Sequence, residues 1–154
     1  IYFGFINNLE VFKLLKTKGV EMNPGLADFL NEVKGNVGLA IATSAPEVKL
    51  NVILDCLDLR AYFEVIITAD QITHGKPDPE IFLKAAVDLG TEPGECVVFE
   101  DAVNGVKAAK TGGMKCVAIT TTHTREELTE ADMVIDSFSE VHLDNLRHLF
   151  ENNR

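Results

Sequence analysis

Val37-Gly38-Leu39-Ala40-Ile41-Ala42-Thr43-Ser44-Ala45-Pro46 is the stretch that sets the fold class. Its first six residues form a continuous apolar run, bounded by the turn pair Gly35-Asn36 on one side and by Thr43-Ser44 on the other. A strand with one wet face would alternate apolar and polar residues. A run without alternation suits a strand buried on both faces, as in a parallel sheet covered by helices. Pro46 suits the first position of a following helix, and residues 48–57 carry helical spacing.

The same punctuation continues in both directions. C-terminal to this stretch the sequence predicts a strand over 63–67, a loop over 70–77 and a helix over Glu80–Leu89 closed by Gly90. A strand over 96–99 stops at Glu100-Asp101, and a helix over 103–110 ends at Gly112-Gly113. A strand over 116–119, a short strand over Met133–Ile135 and a helix over 140–150 follow. N-terminal to it, Leu26, Phe29, Leu30 and Val33 mark one face of a helix that starts after the turn Asn23-Pro24-Gly25. Leu9, Val11, Phe12, Leu14 and Leu15 mark a helix over 7–18, closed by Gly19. Alternating strands and helices mean an α/β sheet with right-handed crossovers. Residues 23–154 read as one domain, and residues 1–22 as belonging to something else.

Composition narrows the functions. The chain has 154 residues, 46% hydrophobic and 25% charged, with 14 basic and 24 acidic side chains and a formal charge of −10. Such an excess of negative charge repels phosphate backbones and anionic lipid, which argues against nucleic acid or a membrane surface as the main partner. A local basic pocket for one phosphate stays compatible with it. Three cysteines, Cys56, Cys96 and Cys116, show no CxxC spacing. They read as small core residues in a reducing, cytoplasmic setting. No apolar run approaches the roughly 18 residues that a membrane span needs. The opening Ile1-Tyr2-Phe3-Gly4-Phe5 has neither Met nor a basic segment, so it reads as the interior of a longer protein.

In an open parallel sheet, ligands collect at the carboxyl ends of the strands. Thr43 and Ser44 follow the first strand, where hydroxyls and backbone N–H groups make either an anion site or a helix cap. Lys76 stands in His74-Gly75-Lys76-Pro77-Asp78-Pro79, an ammonium on a proline-stiffened loop. It reads either as a phosphate-binding lysine or as a surface residue between turn prolines. Glu100 and Asp101 close an apolar strand, where two adjacent carboxylates are costly to desolvate unless a cation joins them. Mg²⁺ takes one or two carboxylates and keeps several waters. The alternative is one capping acid beside a solvated one. His74 is a substrate contact or a solvated loop residue, and His123 sits in a Thr-rich loop with no evident partner.

Three segments together resemble the haloacid dehalogenase superfamily, in its capped phosphatase and β-phosphoglucomutase-like branch. They are Leu39-Ala40-Ile41-Ala42-Thr43-Ser44, then Gly75-Lys76-Pro77-Asp78-Pro79-Glu80-Ile81-Phe82, then Val97-Val98-Phe99-Glu100-Asp101-Ala102-Val103-Asn104-Gly105-Val106. The resemblance implies a three-layer, Rossmann-like parallel sheet with residues 1–22 as the remnant of a helical cap. It implies that Thr43 and the Ser44 amide bind a phosphoryl group, that Lys76 neutralises its oxygens, and that Glu100 and Asp101 complete a Mg²⁺ shell. The implied partner is a small phosphorylated metabolite, with sugar phosphate, phosphoglycolate-like acid and nucleotide all open. The implied chemistry is hydrolysis or mutase transfer through an aspartyl-phosphate. A metal-independent 2-haloacid dehalogenase is the near rival, although it has no task for an acidic pair.

One departure is large. The family's Asp-x-Asp-Gly motif, whose first aspartate is the nucleophile, has no counterpart anywhere in the 154 residues. The nearest spacing is Asp55-Cys56-Leu57-Asp58, inside an amphipathic helix. From this the sequence predicts a sheet that lacks its central first strand and a chain without turnover as given. A catalytically inactive binding module is the non-enzymatic alternative. A receiver domain is disfavoured, because there the acidic pair precedes the lysine. No sequence feature specifies an oligomeric state.

Overall fold

The structure, a computed structural model, describes residues 2–4 and 22–151. Six parallel strands form one sheet: β1 (Tyr2–Gly4), β2 (Leu39–Ala42), β3 (Val65–Ile67), β4 (Cys96–Glu100), β5 (Lys115–Ile119) and β6 (Met133–Ile135). Their order is β3-β2-β1-β4-β5-β6, the doubly wound order whose switch point, and hence crevice, lies beside the central strand. The connecting helices are α1 (Leu26–Val33), α2 (Glu47–Leu57), α3 (Glu80–Leu89), α4 (Val103–Thr111) and α5 (Leu143–Glu151).

The predicted empty centre is not what the structure shows. β1 pairs Phe3 with Leu39 on one side and Tyr2 with Cys96 on the other. Unpaired inner edges of β2 and β4 would leave buried backbone groups without partners, and Tyr2-Phe3-Gly4 supplies those partners. Residues 2–4 thus lie at the centre of this sheet. The helix predicted over 7–18 lies outside the described residues.

Side chains alternate across the strands and split the core in two. Leu39, Ile41, Val97, Phe99, Val117 and Ile119 face α1, α2 and α5. There Phe29, Phe99 and Phe138 meet with ring centroids 5.3–5.8 Å apart. Ala40, Ala42, Val98, Cys116 and Ala118 face α3 and α4, which answer with Ala85, Ala86, Ala108 and Ala109. One side is filled by bulk. The other combines close approach of helices to the sheet at these alanines with the bulk of Ile67, Ile81, Phe82, Met114 and Leu128. Helix α3 packs against β2 and β3, and α4 against β5 and β4.

The cysteines divide differently from the expectation. Cys96 and Cys116 are buried, but Cys56 is exposed. Leu50 and Leu54 fix the inward face of α2, and Cys56, two residues past Leu54, is rotated about 200° from it. Burial also pushes the Cys96 thiol up to about 11 and the Cys116 thiol upward. A disulfide reagent added to the folded chain should therefore titrate one thiol quickly, and all three only after denaturation. Two fast thiols in the native chain would contradict this packing.

Candidate active site

The loop that delivers Lys76 is braced from below by α3. Glu80, in the first turn of that helix, accepts the Thr73 and His74 amides, each at 2.7 Å, and its Oε2 lies 2.8 Å from His74 Nδ1. Those amide bonds hold the Glu80 carboxyl below its usual range. Asp78 Oδ1 in turn accepts the Glu80 N–H at 2.9 Å. His74, Asp78 and Glu80 could together approach a cation, but these oxygens already serve as the loop's scaffold. His74 is exposed, the solvated position allowed by the sequence.

On this mount the Lys76 side chain is 6% exposed and ion-paired with the wholly buried Glu100 carboxylate. Its Nζ also lies 4.6 Å from the centroid of the Phe82 ring. The solvent-facing reading of Lys76 is thus not what the structure shows. Glu100 accepts Lys76 on Oε1 and the Asp101 and Ala102 amides on Oε2, at 3.2 and 3.3 Å. Gly105, in the first turn of α4, makes room for this carboxylate, since a Cβ there would overlap the Glu100 carboxyl group. Glu100 is therefore held inside the fold as the partner of Lys76.

Asp101 is placed differently. Its Oδ2 accepts the Thr121 hydroxyl at 3.1 Å, and the one Thr122 hydroxyl hydrogen is shared between the Asp101 backbone carbonyl at 2.7 Å and Oδ2 at 3.2 Å. Among the described residues its Oδ1 accepts no hydrogen bond, and no buried side-chain oxygen lacks a partner. Burial, and then the neighbouring Glu100 charge, pushes the Asp101 carboxyl above the ordinary carboxylate range, while the two threonine hydroxyls act in the opposite sense.

Thr43 and Ser44 stand at the end of β2. The Thr43 N–H continues the sheet to Ile67 O, and its hydroxyl oxygen accepts the Ala45 N–H at 3.1 Å. Neither residue caps α2. The Glu47 N–H there donates to Asp70 Oδ2 at 2.9 Å, which removes the capping alternative. Ser44 is exposed. β2 and β4 flank β1, so their ends lie two strand spacings apart, roughly 9–10 Å. The lysine, both carboxylates and the Thr43-Ser44 turn share one end of the sheet. The residues after β1 read Phe5-Ile6-Asn7-Asn8, without a carboxylate.

Thr121, Thr122 and His123 were missed as site residues. The available signal was their position directly after β5, at the same end of the sheet.

The family model "Hydrolase: haloacid dehalogenase-like hydrolase" matches residues 4–113. This chain belongs to the haloacid dehalogenase-like hydrolases. Within them it lies in the β-phosphoglucomutase-like branch. The β-phosphoglucomutase of Clostridium difficile superposes on this hydrolase-family chain with a TM-score of 0.79 at 26% identity, covering 92% of this chain and 62% of that one. The validoxylamine A 7'-phosphate phosphatase of Streptomyces hygroscopicus subsp. limoneus is 40% identical over 118 residues, 76% of this chain and 55% of its own. The phosphorylated carbohydrates phosphatase of Thermotoga maritima is 45% identical over 94 residues, 60% of this chain and 44% of its own. The chain thus spans about half the length of the curated relatives it matches. No helix among the described residues is long and apolar enough to cross a membrane.

Proposed function

We propose that this chain carries the phosphate- and Mg²⁺-holding part of a phosphoryl-transfer site. The enzyme would be a phosphohydrolase or phosphomutase acting on a small phosphorylated metabolite, through an aspartate that the 154 residues do not contain at the family's spacing. The observation that carries this reading is the pairing of buried Lys76 and Glu100 beside Asp101, whose Oδ1 accepts no hydrogen bond among the described residues. The relatives named for phosphorylated carbohydrates and for validoxylamine A 7'-phosphate support a sugar-like phosphate monoester.

Asp101 suits a hard cation, because an oxygen acid already destabilised as an anion gains by meeting one. Glu100, next to it, adds negative potential while fixing the lysine. Bound there, Mg²⁺ would offset charge on the phosphoryl oxygens. An ammonium has three donors, and Glu100 takes one, so Lys76 retains capacity for a phosphate oxygen. The Ser44 amide and hydroxyl and the Thr43 turn would hold the opposite side. Fixed donors of this kind stabilise transferring phosphoryl groups without reorganising during the reaction.

Thermal melting in Mg²⁺ and inorganic phosphate tests the site. At a hundredfold excess over Kd, stabilisation should be about 2.7 kcal/mol, roughly 5–10 °C for a chain of this size. Asp101→Asn should melt higher than the parent without metal at pH 7 and should ignore Mg²⁺. The sign follows from the raised carboxyl. Its contribution to stability is present at acid pH and is lost as pH rises from the ordinary aspartate range through the folded value, and the amide escapes that loss. Mg²⁺ stabilising the variant as much as the parent would end the cation reading.

The absence of Asp-x-Asp favours a second reading, an inactive module that binds a phosphorylated ligand. Both readings expect no Mg²⁺-dependent hydrolysis of p-nitrophenyl phosphate by the 154-residue chain, and turnover would refute both on that point. Turnover by a longer form carrying Asp-x-Asp upstream would select the enzyme.

A further inference from the structure

We propose that Thr121 and Thr122, at the end of β5, are positioning residues that aim Asp101 at its cation. The inference rests on the reading of Asp101 as a Mg²⁺ ligand. A lone aspartate can turn about its side-chain bonds and present either oxygen. Here the Thr121 and Thr122 hydroxyls both lie against Oδ2, at 3.1 and 3.2 Å, so Oδ1 is the oxygen left without a hydrogen bond among the described residues. The backbone of Asp101 is fixed from the same loop. Its carbonyl lies 2.7 Å from Thr122 Oγ1 and 2.9 Å from His123 Nδ1. Three consecutive residues of one strand end therefore hold both the main chain and one oxygen of a carboxylate twenty residues earlier. Thr121 and Thr122 are themselves exposed, so the core does not depend on their side chains. Outer partners of this kind orient ligands, and removing them typically weakens metal affinity about 10–100-fold.

The experiment is a Mn²⁺ titration followed by electron paramagnetic resonance, on the parent, the Thr121→Val/Thr122→Val pair, the Thr121→Ser/Thr122→Ser pair and Asp101→Asn. Valine keeps the shape and removes the hydroxyl; serine keeps the hydroxyl. The valine pair should bind Mn²⁺ at least tenfold more weakly, within the range expected for lost outer partners, while the serine pair stays with the parent. Circular dichroism melts of both pairs should confirm a folded chain, and Thr121→Val alone serves if the valine pair does not fold. Valine variants that bind like the parent, or serine variants as weak as valine, would overturn the proposal. If Asp101→Asn abolishes binding while the valine pair does not, only the positioning role fails. If the parent binds no Mn²⁺, or Asp101→Asn binds unchanged, the cation site itself fails, and this role with it.

Discussion

Alanine at Gly105 will destabilise the chain, against the sign that helix propensity gives. Gly105 lies in the first turn of α4, where Gly→Ala would otherwise be worth up to about 1 kcal/mol in favour of the helix. The new Cβ falls within the Glu100 carboxyl group, and that group has nowhere to go. One oxygen is tied to Lys76 and the other to the Asp101 and Ala102 amides. Overpacking typically costs 1–3 kcal/mol, and displacing the buried ion pair adds a share of the roughly 3–5 kcal/mol that breaking such a pair carries. A net loss of about 3 kcal/mol in urea unfolding is expected, with weakened Mg²⁺ binding. In a Lys76→Met/Glu100→Ala background the same substitution should be neutral or stabilising, because the carboxylate is gone. Equal losses in the two backgrounds would mean that the two residues do not compete for this space.

Lys76→Met will cost about as much by a different route. The substitution keeps apolar bulk against Phe82 but leaves the wholly buried Glu100 carboxylate without its cation. Removing one member of a buried pair costs about 3–5 kcal/mol, a large share of the 5–15 kcal/mol that holds a typical domain. Lys76→Met/Glu100→Gln should recover most of it, since a neutral amide can still accept the Asp101 and Ala102 N–H groups. The double variant should nevertheless bind phosphate poorly. Denaturant curves and phosphate titrations on the same three proteins separate the two roles. A single variant as stable as the parent would show that the pair contributes little to folding.

Much of this arrangement is legible in the sequence because strand ends are marked by chemistry. Unbroken apolar runs stop at Thr43 and at Glu100, and the helices Leu26–Val33 and Glu80–Leu89 begin and end where their patterns say. What escaped depends on partners distant in the chain. Tyr2-Phe3-Gly4 becomes a strand only through pairing with β2 and β4, and three residues carry no periodicity of their own. His123 looks unpartnered until β5 is laid beside β4. The acidic pair was read as a unit, yet its members part company. Glu100 ends a strand facing Gly105, while Asp101 begins the turn and meets the threonines, so adjacent carboxylates have separate surroundings. Strand alternation was the available hint. The short 3-10 turns, such as Ala69–Gln71 held by Thr68 and Gln71, depend on local hydrogen bonds that apolar spacing does not reveal.

The alanine-lined side of the sheet has an evolutionary meaning. Where Leu, Ile and Phe meet, volume can be exchanged among neighbours and a lost methyl group absorbed. Where Ala40, Ala42 and Ala118 meet Ala85, Ala86, Ala108 and Ala109, no side chain can shrink further without becoming glycine, and any growth pushes a helix away. Those helices start immediately after Lys76's loop and immediately after Asp101. Sequence drift should therefore be tolerated where bulky side chains meet and purged at these alanine contacts, on which the placement of the charged groups depends.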